Sequence, residues 1–230
     1  MPIKQLKKTT IKFLGTSSGE PIPRPGDDCQ QCVSTDKKDK RLRSSLLINK
    51  KILVDASPDI LKQLHKNQIE NLELVLITHD HNDHAAGIKD LLKIKRNLEI
   101  IRLKPGQHFK WEGLEFYAFK VNHSKVVITV GLEIGPMIYI PDAADLNLAD
   151  KYLKESKIAV LDGSVLNRSF DGHLSINEAI NHTKVLRNLR KIYFTHNGHT
   201  RSPHKEMVKT VKALGDDRYS LAYDGLELTI

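Results

Sequence analysis

Thr78-His79-Asp80-His81-Asn82-Asp83-His84 decides the reading of this chain. The stretch holds three histidines and an aspartate in the pattern H-x-H-x-D-H. Residues 72–77 before it form a short apolar run that predicts a buried strand, and residues 85–96 after it predict a helix. A strand-to-helix loop with four donors within six residues can wrap one metal ion. It can also divide them, His79 and His81 toward one ion, Asp83 and His84 toward a second. Neutral imidazole suits zinc and other transition metals, and carboxylate adds hard oxygen ligation.

Working outward, the same strand-then-donor arrangement recurs. Residues 114–121 predict a strand that delivers His123. Residues 137–140 predict one that ends at Asp142, 157–161 one that ends at Asp162, and 191–194 one that ends at His196. Strand ends that run in one direction gather along one edge of a sheet, where ligands are commonly bound. Scattered surface histidines have no reason to follow strands in this way. Further strands are expected at 9–14, 45–48, 52–54, 99–103, 126–134 and 226–230. Helices are expected at 59–66 (Ser57 as cap), 146–155, 175–188 and 204–214. Ser175 with Glu178 three residues later reads as a capping box. The lysine- and arginine-rich stretch 34–43 reads as a solvated loop.

The H-x-H-x-D-H loop with its flanking elements resembles the signature of the metallo-β-lactamase superfamily. The resemblance implies an α/β fold, the metallo-β-lactamase αβ/βα four-layer sandwich, with residues 1–230 as one such domain. It implies a pair of divalent ions, zinc or manganese. His79, His81 and His123 would hold one, Asp83, His84 and His196 the other, and Asp142 would bridge them. Asp55, at the end of the 52–54 strand, matches the aspartate that orients a ligand histidine from behind. An aspartate at the bridging position argues against the lactam-cleaving branch.

Within the superfamily the chain looks most like the PhnP-type phosphodiesterases that act on small or cyclic phosphodiesters. Leu14-Gly15-Thr16, Asn122-His123-Ser124-Lys125, Gly172-His173-Leu174-Ser175 and Thr195-His196-Asn197-Gly198-His199 carry this resemblance. It implies hydrolysis by a metal-bridging hydroxide, with Asp83 and Asp142 in the catalytic centre and His173 as general acid. It also implies a third, structural zinc. There Cys29, Cys32 and His199 match the family's ligands, and Asp27 stands where the family has a further cysteine. The expected substrate contacts are Lys125 and Arg201. A tRNase Z-like nuclease and a PqqB-like cofactor-biosynthesis protein share the pattern; the first is disfavoured because no long glycine-rich arm interrupts the chain.

The totals bound the rest. A net charge of +8 admits phosphate-bearing partners. Nucleic acid is admitted but not favoured, because the basic residues are spread out and aromatics are only 6%. The expected partner is a small phosphodiester, and relatives of this kind also form homodimers. With two cysteines, no apolar run long enough for a membrane and no signal-like start, a cytoplasmic, membrane-free protein is expected.

Overall fold

The structure is a computed structural model, and it describes residues 8–170 and 172–230. Two sheets face each other. The first has the order β13-β1-β2-β3-β4-β5, with β1 Thr10–Gly15, β2 Ser45–Ile48, β3 Ile52–Val54, β4 Leu74–Ile77, β5 Glu99–Arg102 and β13 Glu227–Thr229. The second has the order β12-β11-β10-β9-β8-β7-β6. Its strands are β6 His108–Trp111, β7 Leu114–Val121, β8 Thr129–Ile134, β9 Met137–Ile140, β10 Ile158–Asp162, β11 Lys191–Thr195 and β12 Tyr219–Leu221.

Alternation along the strands sorts the apolar side chains into layers. Phe13, Leu46, Ile48, Val54 and Leu76 of the first sheet share one buried cluster with Phe116, Val130, Leu132, Tyr139 and Val160 of the second. The other faces are covered by helices. Leu47, Leu53, Val75 and Ile77 pack with Ile60 and Leu91, from the short helices α2 (Ile60–Gln63) and α5 (Ile88–Ile94). On the opposite side Ile138, Ile140, Leu161 and Phe194 pack with Leu153, Ile176, Ile180 and Val211. Those last four come from α6 (Asp150–Glu155), α7 (Ile176–Thr183) and α8 (His204–Leu214). Helix, sheet, sheet, helix is the expected four-layer sandwich.

Strand direction positions the site. β3 and β4 are parallel, and β9, β10 and β11 are mutually parallel. β7 reaches β9 through two antiparallel steps, so it points the same way. The residues that follow β3, β4, β7, β9, β10 and β11 therefore all emerge at one rim of the sandwich.

Several expected elements differ. The helix expected at 85–96 is two pieces, α4 (Asn82–Ala85) and α5, separated at Gly87. A Cβ there would lie 2.1 Å from the Ser57 carbonyl oxygen, so the backbone passes closely at this point. The helix expected at 59–66 is also split, into α2 and α3 (Lys66–Glu70). The Ser57 hydroxyl accepts the Asp59 N–H at 3.1 Å, while Asp59 takes the position before the helix. The strand expected from residue 126 begins at Thr129, leaving Val126 91% exposed. Strands β6 and β12 and the short helix α1 (Gln30–Val33) were not anticipated.

The expected solvated loop at 34–43 contains one of the most buried charges. Arg41 and Asp39 are each 1% exposed. The Arg41 guanidinium donates to Thr16 Oγ1 at 2.7 Å and to the Ala222 carbonyl at 2.6 Å, and meets His204 Nδ1 at 2.9 Å. Asp224 accepts from the Thr16 hydroxyl at 2.8 Å and from the Leu42 N–H at 2.7 Å. Charge composition cannot distinguish a surface loop from one whose arginine ties distant segments together. Arg41→Ala leaves these buried partners without their donor and is expected to destabilise the fold by about 3–5 kcal/mol, read as a lowered midpoint in chemical denaturation. A midpoint equal to wild type would show that the network carries no stability.

Candidate metal centre

The donors expected from the sequence do meet at the rim. His81 Nδ1 lies 3.0 Å from His79 Nε2 and 3.2 Å from His123 Nε2. His196 Nε2 lies 3.2 Å from Asp83 Oδ2 and 3.2 Å from Asp142 Oδ1. His84 Nε2 lies 3.5 Å from Asp83 Oδ2 and 2.9 Å from Asp142 Oδ2. Asp142 touches both groups, since its Oδ2 is also 3.9 Å from His79 Nε2.

Ring nitrogens this close need a proton or a cation between them. A tetrahedral zinc with bonds of ~2.0–2.1 Å to nitrogen spaces its ligands by roughly 3.3 Å, close to the separations found. Two atoms at the centre, His84 Nε2 and Asp142 Oδ2, are buried and face each other at 2.9 Å, yet neither has a partner in hydrogen-bond geometry. Such atoms are costly to leave unpaired, and a divalent ion satisfies both. The residues present therefore fit a metal group. The triads His79–His81–His123, His79–His84–Asp142 and Asp83–His84–His196 each bring three donor atoms within 4.8 Å of one another.

The second nitrogen of His79, His84, His123 and His196 is also engaged, which fixes the orientation of those rings. His79 Nδ1 lies 3.0 Å from Thr78 Oγ1, and His123 Nδ1 donates to the Gly172 carbonyl at 2.7 Å. His196 Nδ1 meets Ser164 Oγ at 3.0 Å. Asp55 lies behind His84: its Oδ2 accepts from His84 Nδ1 at 2.8 Å, while its Oδ1 accepts the Thr78 N–H at 2.8 Å. Asp55 and His196 both hold left-handed backbone, with φ of 63° and 53°. Residues other than glycine rarely adopt it, and strain of this kind concentrates at functional sites.

Electrostatics favours the ligand forms. Burial, aided by neighbouring His84, pushes the His79 imidazole down to about 2, so it is neutral with a free lone pair. Burial and His123 lower His81 in the same sense. For Asp83 and Asp142 burial works the other way, but the adjacent histidines outweigh it and hold both carboxyls below the usual carboxylate range. His84 is the exception. Burial opposes its charging, yet Asp142 and Asp55 raise it well above an ordinary histidine. Between two carboxylates, a proton on its Nε2 and a divalent cation are alternatives for the same place.

His173 adjoins this centre. It lines a cavity of 730 Å³ together with His81, Asp83, His123, Asp142 and His196. Its Nδ1 bonds to Asp162 Oδ2 at 2.7 Å, which leaves Nε2 for the cavity. Burial opposes protonation, but the bond and the charge of Asp162 overcome it, so His173 titrates above an ordinary histidine. Asp162 and Ser164 went unassigned in the sequence. The signal was present, because Asp162 ends a strand as Asp142 follows one. Asp162 also accepts from the Ser164 hydroxyl at 2.6 Å and from the Ala143 N–H at 3.2 Å. Gly172 is required beside His123: its φ is 78°, and a Cβ would lie 2.7 Å from the His123 carbonyl oxygen.

Lys125 lines the same cavity, with Ser18, Gly19, Val126 and Phe170. Arg201 does not. It lines a separate cavity of 350 Å³ with Arg24, Asp27 and Asp28, and its Nη1 lies 3.6 Å from Asp27 Oδ2. It was expected at the substrate together with Lys125 and the loop at 20–28; the turn after His196 carries it to that loop, away from the larger cavity and Lys125.

That loop forms a second donor cluster. His199 Nε2 lies 3.1 Å from Cys29 Sγ and 3.2 Å from Cys32 Sγ. Asp27 completes a group of four donors within 4.8 Å. One Asp27 oxygen accepts the Cys29 N–H at 2.9 Å, and the other lies 3.7 Å from His199 Nδ1.

Comparison with known proteins agrees with this geometry. The family model for the β-lactamase superfamily domain matches residues 50–101, which span β3, β4 and the histidine loop. A curated relative, an octanoyltransferase of Porphyromonas gingivalis, is 28% identical over 95% of this chain. The match takes in 51% of that protein, so the chain spans about half the length of the curated relative. Among solved structures, a diphosphatase of the PhnP family aligns with a TM-score of 0.83 and 24% identity, covering 97% of this chain and 98% of the other. Zinc-bound PqqB from Methylobacterium extorquens aligns with a TM-score of 0.78 and 19% identity, covering 96% and 100%. Two facing sheets between helices, a histidine loop at the rim and these likenesses lead to one conclusion: the chain has the metallo-β-lactamase fold.

Proposed function

We propose that this chain is a dinuclear metal-dependent hydrolase that cleaves a small phosphodiester. The observation that carries the reading is His173, held by Asp162 in the same cavity as two converging sets of metal donors. One ion would be held by His79, His81, His123 and Asp142, the other by Asp83, His84, His196 and Asp142. When bound, such a pair supplies Lewis acidity and lowers the pKa of bound water, and zinc or manganese both suit the donors.

The chain's own residues account for the rest. Asp55, Thr78, Ser164 and the Gly172 carbonyl fix the rings, so the donors need little rearrangement. Lys125 brings a cation to the cavity wall, suited to a phosphoryl oxygen. His173, protonated through Asp162, can give its Nε2 proton to a departing alkoxide, as general acids near neutral pKa do. The name of the octanoyltransferase relative supports a second reading, hydrolysis of an octanoyl ester or thioester. That name belongs to a protein about twice the matched span, and a lysine and a histidine acid suit a phosphodiester better. Octanoyl thioester turnover exceeding that of every phosphodiester would reverse the preference.

Asp142→Ala is expected to abolish turnover of a phosphodiester, whereas His173→Ala slows it about 10²–10⁴-fold and keeps the metal content of wild type. Because a general acid must be protonated, the rate falls as pH rises through the His173 pKa. Asp162 raises that pKa, so Asp162→Asn should move the alkaline limb of the pH–rate profile to lower pH. An unmoved limb would remove His173 from the acid role.

We further propose a structural zinc at Asp27, Cys29, Cys32 and His199. Elemental analysis should give three metal equivalents per chain, falling to two in Cys29→Ser/Cys32→Ser. Two equivalents in both proteins would eliminate the structural site while leaving the pair.

A further inference from the structure

The cavity has one wall that metal binding and proton transfer do not use. Phe170 lines it and is 53% exposed; Val126 lines it and is 91% exposed. Neither side chain belongs to the buried hydrophobic core. Here two such side chains, from different loops, stand on the wall of one polar cavity.

Phe170 is held in place. Its N–H donates to the His173 carbonyl at 3.2 Å, and the His173 N–H donates back at 2.9 Å. Its ring stacks on the His173 imidazole, with centroids 4.8 Å apart and planes 29° from parallel. The neighbouring Ser169 donates to Glu178, so the segment is tied to the cap of α7. On the facing loop the Ser124 hydroxyl accepts the Val126 N–H at 3.2 Å. The Phe170 side of the rim is therefore built before any substrate arrives, which reduces the ordering cost of binding.

The position of His173 says which part of a substrate meets this rim. Hydrolysis of a phosphodiester adds water across one P–O bond: the water oxygen joins phosphorus, and the departing oxygen takes a proton. If His173 gives that proton, the departing oxygen lies at His173, and the group it carries extends past Phe170. We propose that Phe170, with Val126, forms a stacking subsite for a planar aromatic ring on the departing alcohol of the substrate. The inference rests on the phosphodiesterase reading and names the substrate class within it. An aromatic ring is preferred over an alkyl chain because Phe170 offers a flat face already aligned with the His173 ring, and offset stacking rewards a second flat group.

The test uses three methyl phosphodiesters whose other alcohol is 2-phenylethanol, propanol or octanol, hydrolysed by the metal-loaded protein. These alcohols differ little in acidity, so preference among them reports binding rather than leaving-group chemistry. Wild type should favour the phenylethyl over the propyl diester about tenfold in kcat/KM. Phe170→Ala should bring that ratio below about two, and Phe170→Trp should restore it. Calorimetry with 2-phenylethyl and propyl phosphate should show the same order of affinity in wild type and its loss in Phe170→Ala. Equal rates on the phenylethyl and propyl diesters, or an octyl diester favoured as strongly as the phenylethyl one, would overturn the stacking subsite and leave the phosphodiesterase reading intact. Turnover of none of the three, with metal bound, would remove both.

Discussion

The line Asp55–His84–Asp142 joins the two sheets at their open rim, and the site depends on it. Asp55 leaves β3, His84 sits in α4 just after β4, and Asp142 follows β9. Contacts of 2.8 and 2.9 Å carry the line from one sheet to the other. All three side chains are buried, at 0%, 1% and 1% exposure. Two buried carboxylates around one imidazole are tolerable only if cationic charge is shared between them. A proton can supply some of it, and a divalent ion can supply more. The same line therefore serves the packing of the sheets and the preparation of a cation site.

Around this line the fold places rigid supports rather than mobile ones. Backbone groups do much of the holding: the Gly172 carbonyl for His123, the Thr78 N–H for Asp55, the Ala143 N–H for Asp162. A backbone contact is set by where the strands end, so the geometry of the donors follows from the register of the sheets. Asn197 extends this principle to the Gly15-Thr16-Ser17-Ser18-Gly19 segment after β1, since its N–H and side chain both donate to the Thr16 carbonyl, at 2.7 and 3.1 Å. Arg41 bonds to Thr16 from the other side. The turn that brings Ser18 and Gly19 to the cavity is thus anchored by two buried groups distant in sequence.

The two donor clusters differ in kind. The donors of the rim cluster come from four strand ends, and nearly every ring is supported from behind, by residues at two further strand ends among others. The cysteine cluster joins one short loop to the turn after β11, with His199 between two sulfurs and Asp27 shared among the Cys29 N–H, His199 and Arg201. Its role in the fold is to tie that loop against the segment that follows His196. It lies beside a separate cavity, away from His173, and takes no part in lining the larger one.

The sequence by itself determined the donors and their common location. H-x-H-x-D-H is a local pattern, and a donor after an apolar run is legible wherever a strand can be read, because burial forces short apolar segments to end in polar residues. That reasoning found His123, Asp142 and His196, and the capping box at Ser175, without any contact map. Only the tertiary structure decided which neighbours those residues acquired. Arg41 looked like one charge among many in a polar stretch and proved to be buried; Arg201 lay near His196 in sequence and turned away; Asp162 looked like a strand terminus and proved to hold His173. Phe170 carried no signal at all, since a lone aromatic residue in a loop reads the same whether it is packed or exposed. In each case the deciding contact joins segments whose pairing depends on sheet order and direction, and no local spacing in the sequence records that order.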